Sequence, residues 1–322
     1  MSAAILGIDI AKKKFDVALY VGSKYKHKTV ANTQAGFEEL SAWLVKNGID
    51  KIYACMEATG ILWEALATYL HQAGHVVSVV NPARIKAFGE SELARTKNDK
   101  ADAKLIARFC EAMKPTPWQP DPLEIKTLQA LGRRRDALIA MRTQELNRDI
   151  STDPVVNSSI QSMIGFLNKE IEQITKLIKD HIDNHPDLKR KRDLLKSIPG
   201  VGDVASEAVL SEFNGFENFE RIEQVIAYMG LSPKERSSGS SIRGKAQICK
   251  TGNVRLRKAL YMPALVASQR NPAVKALYHR LKAKSKNGLI IACACMKKLV
   301  HIMFGVIKNN KPFNPAYHLK TT

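Results

Sequence analysis

The sequence predicts an α/β domain at the N-terminus, a long helical connector with coiled-coil character, and a mostly α-helical C-terminal domain with a helix-hairpin-helix-like element. Three observations carry this. Short β-rich runs alternate with amphipathic segments over residues 5–80. Four prolines between Pro115 and Pro122 then mark a break, after which long charge-rich helical patterns replace strand signals. Finally, Ile198-Pro199-Gly200-Val201-Gly202 sits between two helical stretches. The expected boundaries are 1–114, 115–190 and 191–322.

The first strand is Ile5-Leu6-Gly7-Ile8-Asp9, an apolar run ending on a carboxylate. Across the basic turn Ala11-Lys12-Lys13-Lys14, the run Phe15 to Val21 makes it a hairpin in a mostly buried sheet. Tyr25 to Val30 supplies a third strand. Asn32 and Thr33 offer caps for an amphipathic helix through Phe37, Leu40, Leu44 and Val45, ending near Asn47-Gly48. Lys51 to Met56 is a buried strand that ends on Glu57. A helix through Leu62, Leu66 and Leu70 stops at Gly74, and Val76 to Val80 is a fifth strand closed by Asn81-Pro82. Three hairpin strands followed by crossover-linked ones is the order of an RNase H-like sheet with helices packed against it. Downstream, Asp99 and Asp102 lie i, i+3 in the first turn of a helix that runs on to Phe109.

In the connector, Leu123 to Arg148 is one long helix and a second follows Asp153-Pro154. Ile160, Ile164, Leu167, Ile171, Ile174, Ile178 and His181 recur at alternating spacings of four and three, an a/d seam. It serves either a hairpin with the first helix or association of subunits. Beyond it, Gly200 and Gly202 would let backbone N–H groups at a helix start approach a phosphate. A polar loop over residues 232–252 carries Arg236, Arg243, Lys245 and Lys250 among its serines. It opens into a basic helix with Arg255, Arg257 and Lys258.

The charge says what such a chain binds. The formal net charge is +19, and the 87 residues from Arg236 to Thr322 hold 18 Lys and Arg and no acid. A segment of that kind repels itself unless a polyanion neutralises it, so nucleic acid is the expected partner, through phosphate contacts and counterion release. An anionic membrane surface is the weaker alternative, since no clear amphipathic anchor stands out; with no apolar run approaching the roughly 18 residues of a membrane span, no membrane partner is expected. The N-terminus lacks the layout of a signal peptide. Five cysteines without a C-x-x-C pair suit a reduced cytoplasm and argue against a zinc ribbon. His71/His75 and His181/His185 have i, i+4 spacing, but no cysteine or H-E-x-x-H context supports zinc.

Asp9, Glu57, Asp99 and Asp102 are the chemically suggestive acids. Singly, Asp9 reads as a strand-end turn or a ligand, and the Asp99/Asp102 pair as helix-dipole complement or as ligands. Together, in an RNase H-like sheet, they would form one cluster. Phosphoryl chemistry on nucleic acid commonly uses two divalent ions held by carboxylates, roughly 3.5–4 Å apart, and Mg²⁺ suits such a site. Clustered acids cannot all stay ionised without cations.

Six motifs occur in order: Gly7-Ile8-Asp9, Glu57-Ala58-Thr59-Gly60, Asp99-x-x-Asp102-Ala103, Thr143-Gln144-Glu145-Leu146-Asn147-Arg148, Ile198-Pro199-Gly200-Val201-Gly202 and Ser237-Ser238-Gly239-Ser240-Ser241-Ile242-Arg243-Gly244. Together they resemble the insertion-sequence 110 family of transposases, the DEDD-type, bridge-RNA-guided recombinases, over nearly the whole chain. The resemblance implies a RuvC-like N-terminal domain, with Asp9, Glu57, Asp99 and Asp102 as metal ligands and Ser238 as nucleophile. It also implies double-stranded donor and target DNA, a structured non-coding guide RNA, and a homo-oligomer from dimer to tetramer. In that family the acids of one subunit are thought to meet the serine of another.

Overall fold

The structure, a computed structural model, describes residues 4–93, 98–148, 153–234, 237–238, 242–243 and 247–316 of the 322-residue chain. The chain divides into two compact units, Met1–Pro120 and Asp121–Thr322.

In the first unit β1 (Ala4–Ile10), β2 (Lys14–Val21) and β3 (Lys24–Ala31) form an antiparallel meander. After α1 (Gln34–Lys46), β4 (Ile52–Glu57) adds parallel to β1. After α2 (Glu64–Gln72), β5 (Val76–Val80) adds parallel to β4. The resulting order is β3-β2-β1-β4-β5. The α/β N-terminal domain and its five strands fall on the runs that the residue pattern marks. β3 is an edge strand, and Lys24, Lys26 and Lys28 along it keep that edge hydrated.

Alternation along each strand decides which helices it meets. Leu6, Ile8, Phe15, Val17, Leu19, Ala54 and Met56 share a core with Phe37, Leu40 and Leu44 of α1 and with Leu66 and Leu70 of α2. The intervening residues serve the other face, where Cys55 and Val80 pack with Ile85 of α3 (Pro82–Ser91) and with Ile106, Phe109 and Cys110 of α4 (Asp99–Met113). Burying each large side chain contributes roughly 1.5–3 kcal/mol of transfer free energy. Period two therefore puts Gly7 and Asp9 of β1, and Cys55 and Glu57 of β4, on the α4 side.

Gly7 is where α4 comes closest. A Cβ there would stand 2.1 Å from the carbonyl oxygen of Ala103 and 2.4 Å from the nitrogen of Ala107. Only glycine lets the helix backbone lie on the strand at that point.

The second unit begins with α5 (Leu123–Arg148) and α6 (Pro154–Asp183), an antiparallel hairpin. Ile160, Ile164, Leu167 and Ile178 of the seam are buried, and His181 joins its ring to the Glu124 carbonyl. Those positions are thus covered within the chain, while Ile171 and Ile174 of the same seam are half-buried. At the base of the hairpin, Ile125, Leu128, Ile178 and Ile182 enter a core shared with α7 (Pro186–Lys196), α8 (Asp203–Phe213), α9 (Ile222–Tyr228), α10 (Val254–Arg270) and α12 (Gly288–Lys308). α11 (Pro272–Ala283) adds Val274 to it. By length and composition α12 is apolar enough to cross a bilayer. Its composition has another cause, since Leu299, Val300 and Met303 are fully buried in this core.

The polar loop contains short pairings: β6 (Pro233–Lys234) with β9 (Gln247–Ile248), and β7 (Ser237–Ser238) with β8 (Ile242–Arg243).

Candidate active site

Asp9 closes β1, Glu57 closes the neighbouring β4, and Asp102 stands in the first turn of α4. Ile8 pairs with Met56 in parallel register, so the two strand-end acids follow side by side. The α4 start is fixed by Asn98, whose side chain accepts the Ala101 N–H at 2.9 Å. All three acids line one open cleft of about 920 Å³, whose walls also carry Lys86, Lys104 and Arg108.

The electrostatics record how close these acids are. Burial, followed by the charges of Asp102, Asp99 and Asp16, pushes Asp9 from the ordinary 3.8 up to about 6. Burial also raises Glu57, with Asp9 and Asp102 adding to it. Asp99 behaves differently. It is exposed, it is not among the cleft-lining residues, and the Lys14 ammonium donates to it at 2.8 Å, holding its carboxyl below the usual range.

The same lysine donates to Asp16 at 3.3 Å, and Asp16 also accepts the Thr29 hydroxyl. Asp16 lies directly opposite Asp9 in the β1–β2 ladder and is only 5% exposed. Residues paired across antiparallel strands point to one face, so Asp16 is a fifth acid of the cluster and Lys14 its resident cation. Neither residue stands out in the sequence, although the register of the β1–β2 hairpin would have located Asp16.

Hard oxygen donors of this kind suit Mg²⁺. Among the described residues no three are gathered tightly enough to hold an ion as they stand. Burial first, and the neighbouring acid charges after it, raise Asp9 and Glu57, a penalty on their charged forms that a divalent cation held by Asp9, Glu57 and Asp102 would offset.

A pH dependence follows. Asp9 binds its proton more tightly folded than unfolded, so the stability it contributes is fully present below about 3.8 and is lost as pH rises through about 6. Metal-free protein is expected to melt at progressively lower temperature between those pH values, and Asp9→Asn to flatten that slope. Thermal denaturation in chelator from pH 4 to 7 checks this; an unchanged slope in the variant would assign the dependence to other groups.

The other sequence-derived residues belong to the second unit. Ser238 pairs through its backbone with Ile242, and Ser237 with Arg243. Arg236, Lys245, Ser240 and Ser241 lie outside the described residues. Lys250 and Lys258 are exposed, and Arg257 donates to the Met229 carbonyl at 2.7 Å. Gly202 is exposed, whereas Gly200 has a φ of 103° and a Cβ on it would stand 2.8 Å from the backbone of Ala267, so both its turn and its packing on α10 call for glycine. Arg255 departs from the expectation of a phosphate contact. Its guanidinium is engaged by Asp136 at 2.6 Å, Glu212 at 3.0 Å and Glu207 at 3.3 Å, and so ties α10 to α5 and α8. An arginine so paired serves the fold.

Two family models match the chain. A transposase model, of the DEDD type associated with IS110, covers residues 6–152, and a model of the transposase IS116/IS110/IS902 family covers residues 192–279. The chain is 34% identical over 321 residues to the pilin gene-inverting protein of Moraxella bovis, covering 99% of this chain and 100% of that one. The pilin gene-inverting protein of Moraxella lacunata matches to the same extent. The transposase for insertion sequence element IS1328 of Yersinia enterocolitica is 23% identical, over 97% of this chain and 99% of its own.

Proposed function

Because the chain belongs to the IS110 family of transposases, we propose that it cuts and exchanges DNA strands between a mobile element and a target, with both sites chosen by base pairing to a structured guide RNA. The observation that carries the catalytic part is the meeting of Asp9, Glu57 and Asp102 in one cleft. The sheet order β3-β2-β1-β4-β5, with acids at the ends of adjacent strands, supports an RNase H-like, RuvC-like assignment for the catalytic domain. The 115–190 helices form the connector, and residues 191–322 carry the serine and the basic surface.

Asp9, Glu57, Asp102 and Asp99 would hold Mg²⁺, which would neutralise charge at the scissile phosphate. The protein's own residues do the rest. The Ser238 hydroxyl attacks phosphorus, forming an Oγ–P bond as the P–O3′ bond breaks; the departing oxygen takes a proton and leaves as a 3′-hydroxyl. The 5′-phosphoserine keeps the energy of the phosphodiester, so a 3′-hydroxyl from another duplex can reverse the step and join new ends without ATP. Ser238 comes from a second subunit of a dimer or tetramer. Arg236 and Arg243 flank it in sequence and would balance charge on the phosphate.

The test is to trap the protein on labelled DNA, with its guide RNA and Mg²⁺, and to denature. A covalent adduct is expected for the native protein and for Ser241→Ala, and none for Ser238→Ala. Cleavage that persists in Ser238→Ala without an adduct would make water the nucleophile and the protein a RuvC-like endonuclease.

A further inference from the structure

The second unit holds a separate open cleft of about 850 Å³, walled by α6 on one side and by α7 and α8 on the other, with α5 as its floor. Six cations line it, Arg135, Lys169, Lys176, Lys179, Arg192 and Lys196, against three acids. Two of those acids are already neutralised. Glu207 is 2% exposed and buried between Arg135 and Arg255, and Asp203 is paired by Lys196 at 2.7 Å. Arg192 is held by Asp183 at 2.7 Å.

The three α6 lysines differ from these. Lys169, Lys176 and Lys179 are exposed, and none forms an ion pair among the described residues. At about 100° per residue they fall within about 80° of one another on one helix face, and at 1.5 Å per residue they span about 15 Å. One strand of a nucleic-acid duplex carries about four phosphates over that length. One acid shares that face, the exposed Glu172, which falls inside the same arc and leaves three lysines against one carboxylate. The excess of cations lies on a concave wall, where low-dielectric sides focus their field.

We propose that this cleft binds the phosphate backbone of a nucleic-acid strand, with Lys169, Lys176 and Lys179 as the contacting side chains. The inference deepens the proposed function by giving its nucleic-acid partner a second docking place, remote in sequence from the acid-free C-terminal region. Backbone contact of this kind positions a duplex without reading its sequence, as suits a protein whose sites are specified by RNA.

Equilibrium binding to a labelled DNA duplex, and separately to the RNA that co-purifies with the protein, tests it across a salt series without divalent metal. The triple variant Lys169→Gln, Lys176→Gln, Lys179→Gln is expected to bind at least one of the two about tenfold more weakly. Its log K against log salt slope should shrink by about 2–3, since each duplex phosphate contact contributes about 0.9. Which ligand loses affinity identifies the strand that occupies the cleft. A control variant, Lys24→Gln, Lys46→Gln, Lys51→Gln, removes the same charge from exposed positions of the first unit. Unchanged affinity and slope for both ligands, or an equal loss in the control, would overturn the proposal. Because no strand is cut in this assay, its outcome is separate from whether Ser238 is the nucleophile.

Discussion

Gly7→Val is expected to unseat α4 and abolish DNA cleavage, although position 7 bears no chemistry. The added Cβ would meet backbone atoms, Ala103 O at 2.1 Å and Ala107 N at 2.4 Å, so no side-chain rotation relieves the clash. Overpacking a well-filled site costs about 1–3 kcal/mol, and more where the backbone must move. Here α4 itself must shift, and α4 carries Asp102. The variant should therefore lose about 3 kcal/mol in denaturant unfolding and lose cleavage with it, while Gly7→Ala, which adds the same Cβ without branches, should show a milder form of both defects. An unfolding midpoint and a cleavage rate equal to those of the native protein would show that α4 does not rest on β1 at this point.

That dependence explains how much of the site was legible in the sequence. Strand runs and their terminal acids are local features, so Asp9 and Glu57 could be placed on neighbouring strands by pattern alone. Asp102 followed from its position in the first turn of a helix. What pattern could not supply is the meeting of distant elements. Asp16 looks like a stray acid in a strand until the β1–β2 register sets it opposite Asp9. Lys14 reads as one of three turn lysines, and its bridge from Asp16 to Asp99 exists only because α4 docks 85 residues later.

Arg255 shows the converse. In sequence it belongs to a basic helix free of acids, yet its partners lie far from it along the chain, Asp136 on α5 and Glu207 and Glu212 on α8. Gly200 likewise reads as a phosphate-approach turn, and the constraints the structure shows on it are a left-handed φ of 103° and the backbone of Ala267. Charge and glycine are ambiguous in sequence because solvent-facing and packed uses look alike until the partner element arrives.

Asp102→Asn is expected to separate chemistry from folding. The substitution keeps shape and removes one negative charge from the cleft, which takes away the part of the upward shift of Asp9 and Glu57 that Asp102 adds to burial. The unfolding midpoint at neutral pH should therefore move little compared with the loss of chemistry. Single-turnover cleavage should fall by roughly 10³-fold, since ligand-held metal supplies several kcal/mol to phosphoryl transfer and each 1.36 kcal/mol is tenfold. Asp99→Asn should cost less, because Asp99 is exposed and already engaged by Lys14. Native cleavage by Asp102→Asn would remove the cluster as the reaction centre. Equal losses from both variants would mean that the first turn of α4 reseats when metal and DNA bind, exchanging the Lys14 ammonium beside Asp99 for a metal ion.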